Sequence, residues 1–442
     1  MKKKNNFILT GVLMLGGALN SYATEYLPTN DFFTDGQTWH LERITGTGDD
    51  QTSAEIEVRV DGEEFVMAEY NEDGKTDYLP ALCKRLVVKE NDEEIGTYMV
   101  YPLSGKILVK SDKKNEFVAL LDFNCGKVNT IKFCSKTYDV TGVDYIFTGN
   151  LLRKRVKCNS DDSECNYVYG VGAKEWSLSS DYWPDNSTYK LISMTTAEGV
   201  EISPESLDRP KAECDNKFWT QDKRWDMVTY YPLFPEQDDV HRYWKVDGEL
   251  TLGQKEGEMV CPRYLECNSD WEPRVPELSY AVVSLNDQVY QYDNSEDRFL
   301  LVYDFNVEVG DQAERFNEES VIVNIDEITV NNRKFKRIIF AGASEENVDY
   351  KYWVEGIGAN GKNKLNISVW PTDGSNLRMD ACYQGNECIF TYDDFSGSSG
   401  VSNITTEKGV QTNNVYDLHG RIISEPKAGT IVISQGKKHI AN

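Results

Sequence analysis

The sequence predicts an all-β protein: two tandem, homologous antiparallel modules of β-meander or sandwich-like type, followed by a small C-terminal β tail. Two observations support this prediction. A long succession of strand-like segments occurs twice, and its apolar–polar alternation is interrupted by polar turns at about 8- to 12-residue intervals. Beyond the N-terminal region, no segment shows the sustained 3.6-residue periodicity of a helix.

The repeat is visible as matching residues at a nearly constant separation. Trp39 and Trp225 lie 186 positions apart, whereas Arg155 and Arg337 lie 182 apart. The separation returns to 186 after the segment 158–165, which we interpret as a loop. Because loops tolerate changes of length at little free-energy cost, this pattern favours two related domains. A solenoid would repeat every 20–50 residues or so.

These comparisons give the expected domain boundaries. Residues 24–210 form the first module, 211–395 the second module, 396–414 a Ser- and Gly-rich linker, and 415–442 the tail. A flexible linker of this kind is typical between a folded domain and an address or docking segment.

Residues 1–23 have the features of a secretory signal peptide. Lys2 to Lys4 supply the basic region, Phe7 to Leu19 an apolar run, and Ala23 the expected cleavage site. The apolar run would span only about 20 Å as a helix, less than the ~30 Å hydrocarbon core. We therefore expect an exported chain at the cell surface, outside the cell or in the periplasm, with no integral membrane segment after cleavage.

The 442 residues carry a formal net charge of −26. Such a polyanion repels phosphate backbones and anionic lipid surfaces, which argues against nucleic acid as a partner. A solvated acidic surface is the simpler interpretation of the charge.

The ten cysteines favour local disulfides, because several fall in close pairs within an exported chain. Zinc is the alternative, but paired zinc ligands are usually spaced by about two to four residues, and only four histidines are present. We therefore expect no metal and no cofactor. The candidate disulfide cysteines are Cys125 and Cys134, Cys158 and Cys165, Cys261 and Cys267, and Cys382 and Cys388.

Two repeated motifs admit a structural and a functional interpretation. The basic pairs Lys154-Arg155 and Lys336-Arg337 could bind an anion, but an outward strand face or pairing with nearby acidic side chains is favoured. The Gly-x-Gly motifs at Gly170 and Gly356 lack the third glycine and βαβ context of a dinucleotide site, so a tight bend with positive φ is expected. Asp61-Gly62 predicts a turn.

An aromatic-rich section lies around the junction of the two modules. Core or interdomain packing is favoured over a platform that stacks on sugar rings, and the match of Trp39 with Trp225 predicts a structural role for that pair. The section contains Trp176, Tyr182, Trp183, Phe218, Trp219, Trp225, Tyr230, Tyr231, Phe234, Tyr243 and Trp244.

Two resemblances extend this interpretation. Residues 415–440, with Val-Tyr-Asp-Leu-His-Gly-Arg and a Gly-Lys-Lys ending, resemble the type IX secretion sorting domain of the Bacteroidota. The Tyr-Asp-Phe and Trp-Val-Glu-Gly-Ile-Gly stretches of the second module resemble exported Bacteroidota proteins. The resemblance implies export and brings no activity with it.

Three functional hypotheses follow. The first is a non-catalytic exported protein that binds a glycan or a surface protein, in which duplicated modules could supply avidity. The second is a secreted hydrolase with paired carboxylates, for which Asp304 and Glu355 are the residues to test. The third is a structural or assembly subunit of a surface complex. No nucleophile elbow, zincin motif or cysteine–histidine signature is present, so we predict no catalytic residues. The sequence leaves the oligomeric state open.

Overall fold

In the computed structural model of the chain, the described residues are 32–46, 50–72, 75–103, 106–111, 115–123, 130–133, 136–160, 163–176, 187–231, 236, 238–255, 257–274, 279–294, 297–311, 321–341, 352–360, 376–396, 415–416, 422–423, 431–434 and 437–440. The predicted signal peptide lies outside them. The all-β prediction is confirmed: within these ranges the chain forms antiparallel sheets, with one short parallel pairing at residues 69–70 and 116–117, and two short 3-10 helices, without an α-helix.

Residues 24–210 are here called the first half, and their described part contains thirteen strands and the 3-10 helix Pro204–Asp208. The strands are β1 (Thr38–Thr45), β2 (Thr52–Glu72), β3 (Lys75–Glu90), β4 (Glu93–Leu103), β5 (Lys106–Ser111), β6 (Glu116–Asp122), β7 (Thr130–Phe133), β8 (Lys136–Thr148), β9 (Leu151–Ser160), β10 (Ser163–Val168), β11 (Glu175–Trp176), β12 (Thr188–Thr195) and β13 (Glu201–Ile202).

Residues 211–395 are called the second half, and where the structure describes them they contain a further thirteen strands and the 3-10 helix Tyr392–Phe395. These strands are β14 (Lys223–Tyr230), β15 (Val240–Leu252), β16 (Gln254–Lys255), β17 (Met259–Cys267), β18 (Ser279–Leu285), β19 (Gln288–Asp293), β20 (Arg298–Asp304), β21 (Ile322–Val330), β22 (Arg333–Phe340), β23 (Tyr352–Val354), β24 (Gly358–Ala359), β25 (Asn376–Gln384) and β26 (Glu387–Thr391).

Each half has one large and one small sheet with the same order of strands. In the large sheets, β12-β1-β2-β3-β4-β5-β6 corresponds to β25-β14-β15-β17-β18-β19-β20. In the small sheets, β8-β9-β10 corresponds to β21-β22-β23. That the halves arose from one duplicated module stays a prediction of the sequence.

A buried core lies between the large and the small sheet of each half. Trp39 and Trp225, on the first strand of each large sheet, are fully buried, which confirms their structural role. The indole Nε1 of Trp39 donates a 2.8 Å hydrogen bond to Val171 O, and that of Trp225 donates a 2.9 Å bond to Ile357 O. Each tryptophan therefore ties its large sheet to the bend that follows β10 or β23 of the small sheet.

The bends are formed by the Gly-x-Gly motifs, as expected. Gly170 and Gly172 have φ of +77° and +99°, and Gly356 and Gly358 have +76° and +115°. These values lie in the region that residues with a Cβ rarely adopt. The bend turns the carbonyl of the intervening residue towards the tryptophan.

The arginine of each basic pair is inside the protein, so the favoured outward placement is wrong and the pairing with acidic side chains is confirmed. Arg155 makes bidentate hydrogen bonds of 2.8 and 2.6 Å to Asp144. Arg337 makes the same contact with Asp326 at 2.9 and 2.7 Å. In a bidentate geometry the carboxylate neutralises the buried guanidinium, so the arginine is not available to bind another anion.

Asp61-Gly62 is a β-bulge, not the predicted turn. Strand β2 continues from Thr52 to Glu72, and its pairing with β3 skips two residues between Val60 and Glu63. Gly62 has φ of +80°, so the dipeptide takes the special conformation that its residues favour, but inside a strand.

The two halves share an apolar seam and one sheet. Strand β16 of the second half pairs with β8 of the first, and Tyr145 packs edge-on against Phe299 with ring centroids 4.9 Å apart. The Tyr290 hydroxyl accepts a 3.0 Å hydrogen bond from Leu152 N. Residues Met1–Gly397 accordingly form one compact unit, and Ser398–Asn442 form a second.

The described part of the second unit contains four strands, where the sequence predicts a small β tail. They are β27 (Val415–Tyr416), β28 (Ile422–Ile423), β29 (Ile431–Ser434) and β30 (Lys437–Ile440), in the order β28-β27-β29-β30.

Lys223 provides a test of the equivalence of the halves. It occupies the position of Gln37, and both side chains donate to the first glycine of the bend: Gln37 Nε2 to Gly170 O at 2.9 Å, and Lys223 Nζ to Gly356 O. Burial lowers the pKa of Lys223 from its ordinary 10.5 to about 8. At a pH between these two pKa values, Lys223 is protonated in the unfolded chain and neutral in the folded chain. The stability that this position contributes therefore rises with pH.

We expect Lys223→Gln to remove this dependence, because the amide can make the same bond without a buried charge. The difference in free energy of unfolding between variant and wild type should favour the variant at pH 7 and shrink by roughly 3 kcal/mol by pH 10.5. Urea denaturation across this range measures it. Parallel stability curves would show that burial does not lower the pKa of Lys223.

Candidate functional site

The outer face of β14, β15 and β25 in the second half carries an unusual group of side chains. Strand alternation buries Trp225 and Met227, so Arg224 and Asp226 point to the opposite face. We call the group on this face the aromatic face. It consists of Arg224, Asp226, His241, Tyr243, Trp271, Asp380 and Tyr383, all partly or fully solvent-accessible.

A tight turn over residues 268–272 places Trp271 on this face. The Asn268 side-chain oxygen accepts hydrogen bonds of 2.9 Å from the backbone N–H groups of both Asp270 and Glu272. Trp271 N donates to Asn268 O at 3.0 Å. Trp271 itself has φ of +63°, which is strained for a bulky residue. A strained backbone conformation persists only where the surrounding structure holds it in place, and such conformations occur often at ligand sites.

The ring of Trp271 is held among three side chains. Its centroid lies 5.2 Å from that of Tyr243 and 5.9 Å from that of Tyr383, both edge-on at about 70°. The Arg224 guanidinium lies 5.3 Å from the Trp271 ring centroid. Tyr243 in turn stacks on His241 at 6.0 Å and 17°. The rings are therefore fixed by one another while remaining half-exposed.

Carboxylates adjoin the rings. Asp226 Oδ1 lies 2.8 Å from His241 Nδ1, and the Asp226 side chain is 13% exposed. Burial raises the pKa of Asp226, the hydrogen bond and charge of His241 act against this, and the charge of Asp380 adds to the rise. Burial, together with these carboxylates, also raises the pKa of Tyr243.

The first half lacks this arrangement. At the 186-residue separation, Thr38, His40, Glu55 and Glu57 stand where the second half has Arg224, Asp226, His241 and Tyr243. The core tryptophans match between the halves, whereas this outer face does not. Packing of the shared fold therefore does not explain the aromatic face.

The aromatic section noted in the sequence divides between core and surface. Phe218, Trp219 and Trp244 pack around Trp225 in the core, as favoured, while Tyr243 lies on the aromatic face. Tyr182, Trp183 and Phe234 lie outside the described residues. Trp271 and Tyr383 were not singled out from the sequence. Asn268 with Asp270 is the turn signal that could have drawn attention to Trp271.

No disulfide joins the eight cysteines of the described ranges. The expected bridge between Cys261 and Cys267 is wrong: both lie on β17, and six residues of strand separate their Cα atoms by about 20 Å, far beyond bridging distance. Cys388 lies opposite Tyr383, beside Cys382, so that pair stays a prediction. Cys125 and Cys134 lie outside the described residues.

Other potential sites are small or absent where the structure is described. A cavity of about 30 Å³ lies in the seam beside Lys154 and Arg298, enough for a water molecule. Asp304 accepts hydrogen bonds from Gln288 Nε2 and Asn306 N, which is a structural role. No group of three or more His, Cys, Asp or Glu side chains that could hold a metal ion occurs within the described ranges. Nor do those ranges contain a helix long and apolar enough to cross a membrane.

Comparison with known proteins adds little. No family model matches the chain, and no curated protein matches it. Among solved structures, the chain is similar to one chain of the complex of MucA and MucB from Pseudomonas aeruginosa. The identity is 10% over 64% of this chain and 90% of that chain, with a TM-score of 0.17. A TM-score this low carries no argument about fold or function.

Two substitutions of Trp271 separate backbone strain from the ring. We expect Trp271→Gly to unfold with a free energy about 1 kcal/mol higher than Trp271→Ala, because both lose the ring contacts but only glycine adopts φ of +63° freely. Urea denaturation of both variants measures the difference. A less stable glycine variant would mean that the turn does not impose the left-handed conformation.

Proposed function

We propose that the chain is an exported binding protein whose aromatic face binds a glycan. The observation that carries the proposal is Trp271, held in a strained turn with its ring half-exposed between Tyr243 and Tyr383. An aromatic side chain kept at the surface at a conformational cost is not needed for the core, which Trp225 already fills.

The chemistry of the face suits a sugar. The apolar side of a pyranose ring presents C–H groups that can stack on the electron-rich face of an aromatic ring. Asp226 and Asp380 supply acceptors for sugar hydroxyls, and Arg224 supplies donors. An open sheet surface of this kind fits an extended oligosaccharide better than a small buried molecule, which would need a cavity of at least about 300 Å³.

Export is supported by the basic, apolar and small-residue pattern of residues 1–23 and by the resemblance of residues 415–440 to a sorting domain. A surface or extracellular location would bring the aromatic face into contact with glycans. The duplicated modules proposed from the sequence would then have diverged, with the second specialised for binding.

Binding can be measured on an array of neutral and acidic oligosaccharides, followed by calorimetric titration of the strongest ligand. Loss of one stacking ring costs on the order of 1.5 kcal/mol, so we expect Trp271→Gly and Tyr243→Ala each to weaken binding at least about tenfold. Phe65→Ala is the matched control, because Phe65 is 66% exposed on the first half. The proposal is contradicted if the wild type binds no oligosaccharide on the array, or if all variants bind the ligand with the same affinity as wild type.

A hydrolase is the second candidate, and it is favoured by the two carboxylates beside the rings. Burial raises the pKa of Asp226, the charge of Asp380 adds to the rise, and His241 acts against it. A raised pKa is what the general acid of glycoside hydrolysis requires. Release of reducing ends from the bound oligosaccharide by wild type, but not by Asp380→Asn, would support this candidate over simple binding.

A further inference from the structure

A pair of opposed thiols lies on the small sheet of the first half, away from the aromatic face. Cys158 on β9 and Cys165 on β10 are direct partners in the antiparallel register. Directly opposed residues in such a pair have Cα atoms about 4.5–5.5 Å apart, which is within the span of a disulfide. Cys158 Sγ also lies 3.6 Å from the backbone oxygen of Cys165, so the thiol of Cys158 faces the strand that carries Cys165.

The two thiols differ in access to solvent. Cys158 is fully buried, whereas Cys165 is half-buried. A hydrogen bond from the Cys158 thiol lowers the pKa of Cys165, although burial acts in the opposite direction. Burial raises the pKa of Cys83, Cys261 and Cys382 to about 12. A thiolate is the reactive form of cysteine, so Cys165 combines access with reactivity.

The fold does not require this pair. At separations of 182 and 186 residues, the second half has Phe340 and Lys351 in place of Cys158 and Cys165. Phe340 is buried in the corresponding core, so an apolar side chain satisfies the same position. The paired thiols are thus a property of the first half alone.

We propose that Cys158 and Cys165 form a redox-active cross-strand dithiol that is oxidised by small disulfides, with Cys165 as the attacking residue and Cys158 as the resolving residue. The Cys165 thiolate attacks one sulfur of the small disulfide, forms a mixed disulfide and expels one thiolate. The Cys158 thiolate then attacks the Cys165 sulfur, forms the Cys158–Cys165 bond and expels the second thiolate. The protein loses two electrons and two protons, which reduce the small disulfide to two thiols.

The test exposes the reduced, folded chain to oxidised glutathione, stops the reaction with acid, alkylates the remaining thiols and identifies peptides by mass spectrometry. In wild type we expect a Cys158–Cys165 linkage at least tenfold faster than any bridge that involves Cys83, Cys261 or Cys382. In Cys158→Ser, glutathione should remain on Cys165, because no resolving thiol is present.

Cys165→Ser is the matched control, and it should give neither a linkage nor an adduct on the buried Cys158. Circular dichroism confirms that each variant keeps its β structure. In wild type, the linked form should also have a higher urea midpoint than the reduced form, since the bond ties β10 to β9. The proposal is overturned if the folded wild type forms no such linkage. It is also overturned if Cys158 in Cys165→Ser gains glutathione as fast as Cys165 does in Cys158→Ser.

Discussion

The hydrogen bond from a buried indole to a bend carbonyl is the contact on which each half depends. Trp39 and Trp225 each lie on the first strand of a large sheet. Their indoles donate to Val171 O and Ile357 O, in the bends that follow β10 and β23. The bond requires the glycines on either side of that carbonyl to adopt positive φ. Since a buried indole N–H without an acceptor is costly, the tryptophan and the bend constrain one another.

Other contacts repeat around this anchor and show how the same packing problem is solved twice. The Arg155–Asp144 and Arg337–Asp326 pairs brace the small sheets, and Arg155 and Arg337 also donate to Leu207 O and Phe395 O in the 3-10 helices. The halves differ mainly in how the far end of each large sheet is covered. In the first half, β2 pairs with β6 and so covers the far end of its own sheet. The far end of the large sheet in the second half packs against Tyr145 and Leu152, which belong to the first half.

The sequence was sufficient for much of the fold, because period-two alternation and glycine bends are local signals. It failed where tertiary context decides. Asp61-Gly62 carries a turn signal. It forms a bulge instead because the residues on both sides of it continue to pair with β3. The close spacing of Cys261 and Cys267 suggested a bridge, but spacing cannot distinguish a hairpin from a single strand. The aromatic face joins β14, β15, β25 and the turn of Trp271. The Asn268 turn signal points to Trp271 alone, so no local pattern reveals the group as a whole.

The anchors and the aromatic face predict opposite behaviour for tryptophans within one chain. Indole hydrogen exchange measured by NMR on the folded chain tests this most directly. Trp39 and Trp225 should exchange only through global unfolding, with similar protection free energies, whereas Trp271 should exchange orders of magnitude faster. Rapid exchange at Trp39 or Trp225 would contradict the claim that these bonds hold the sheets together, and strong protection of Trp271 would remove the exposed ring from the candidate site.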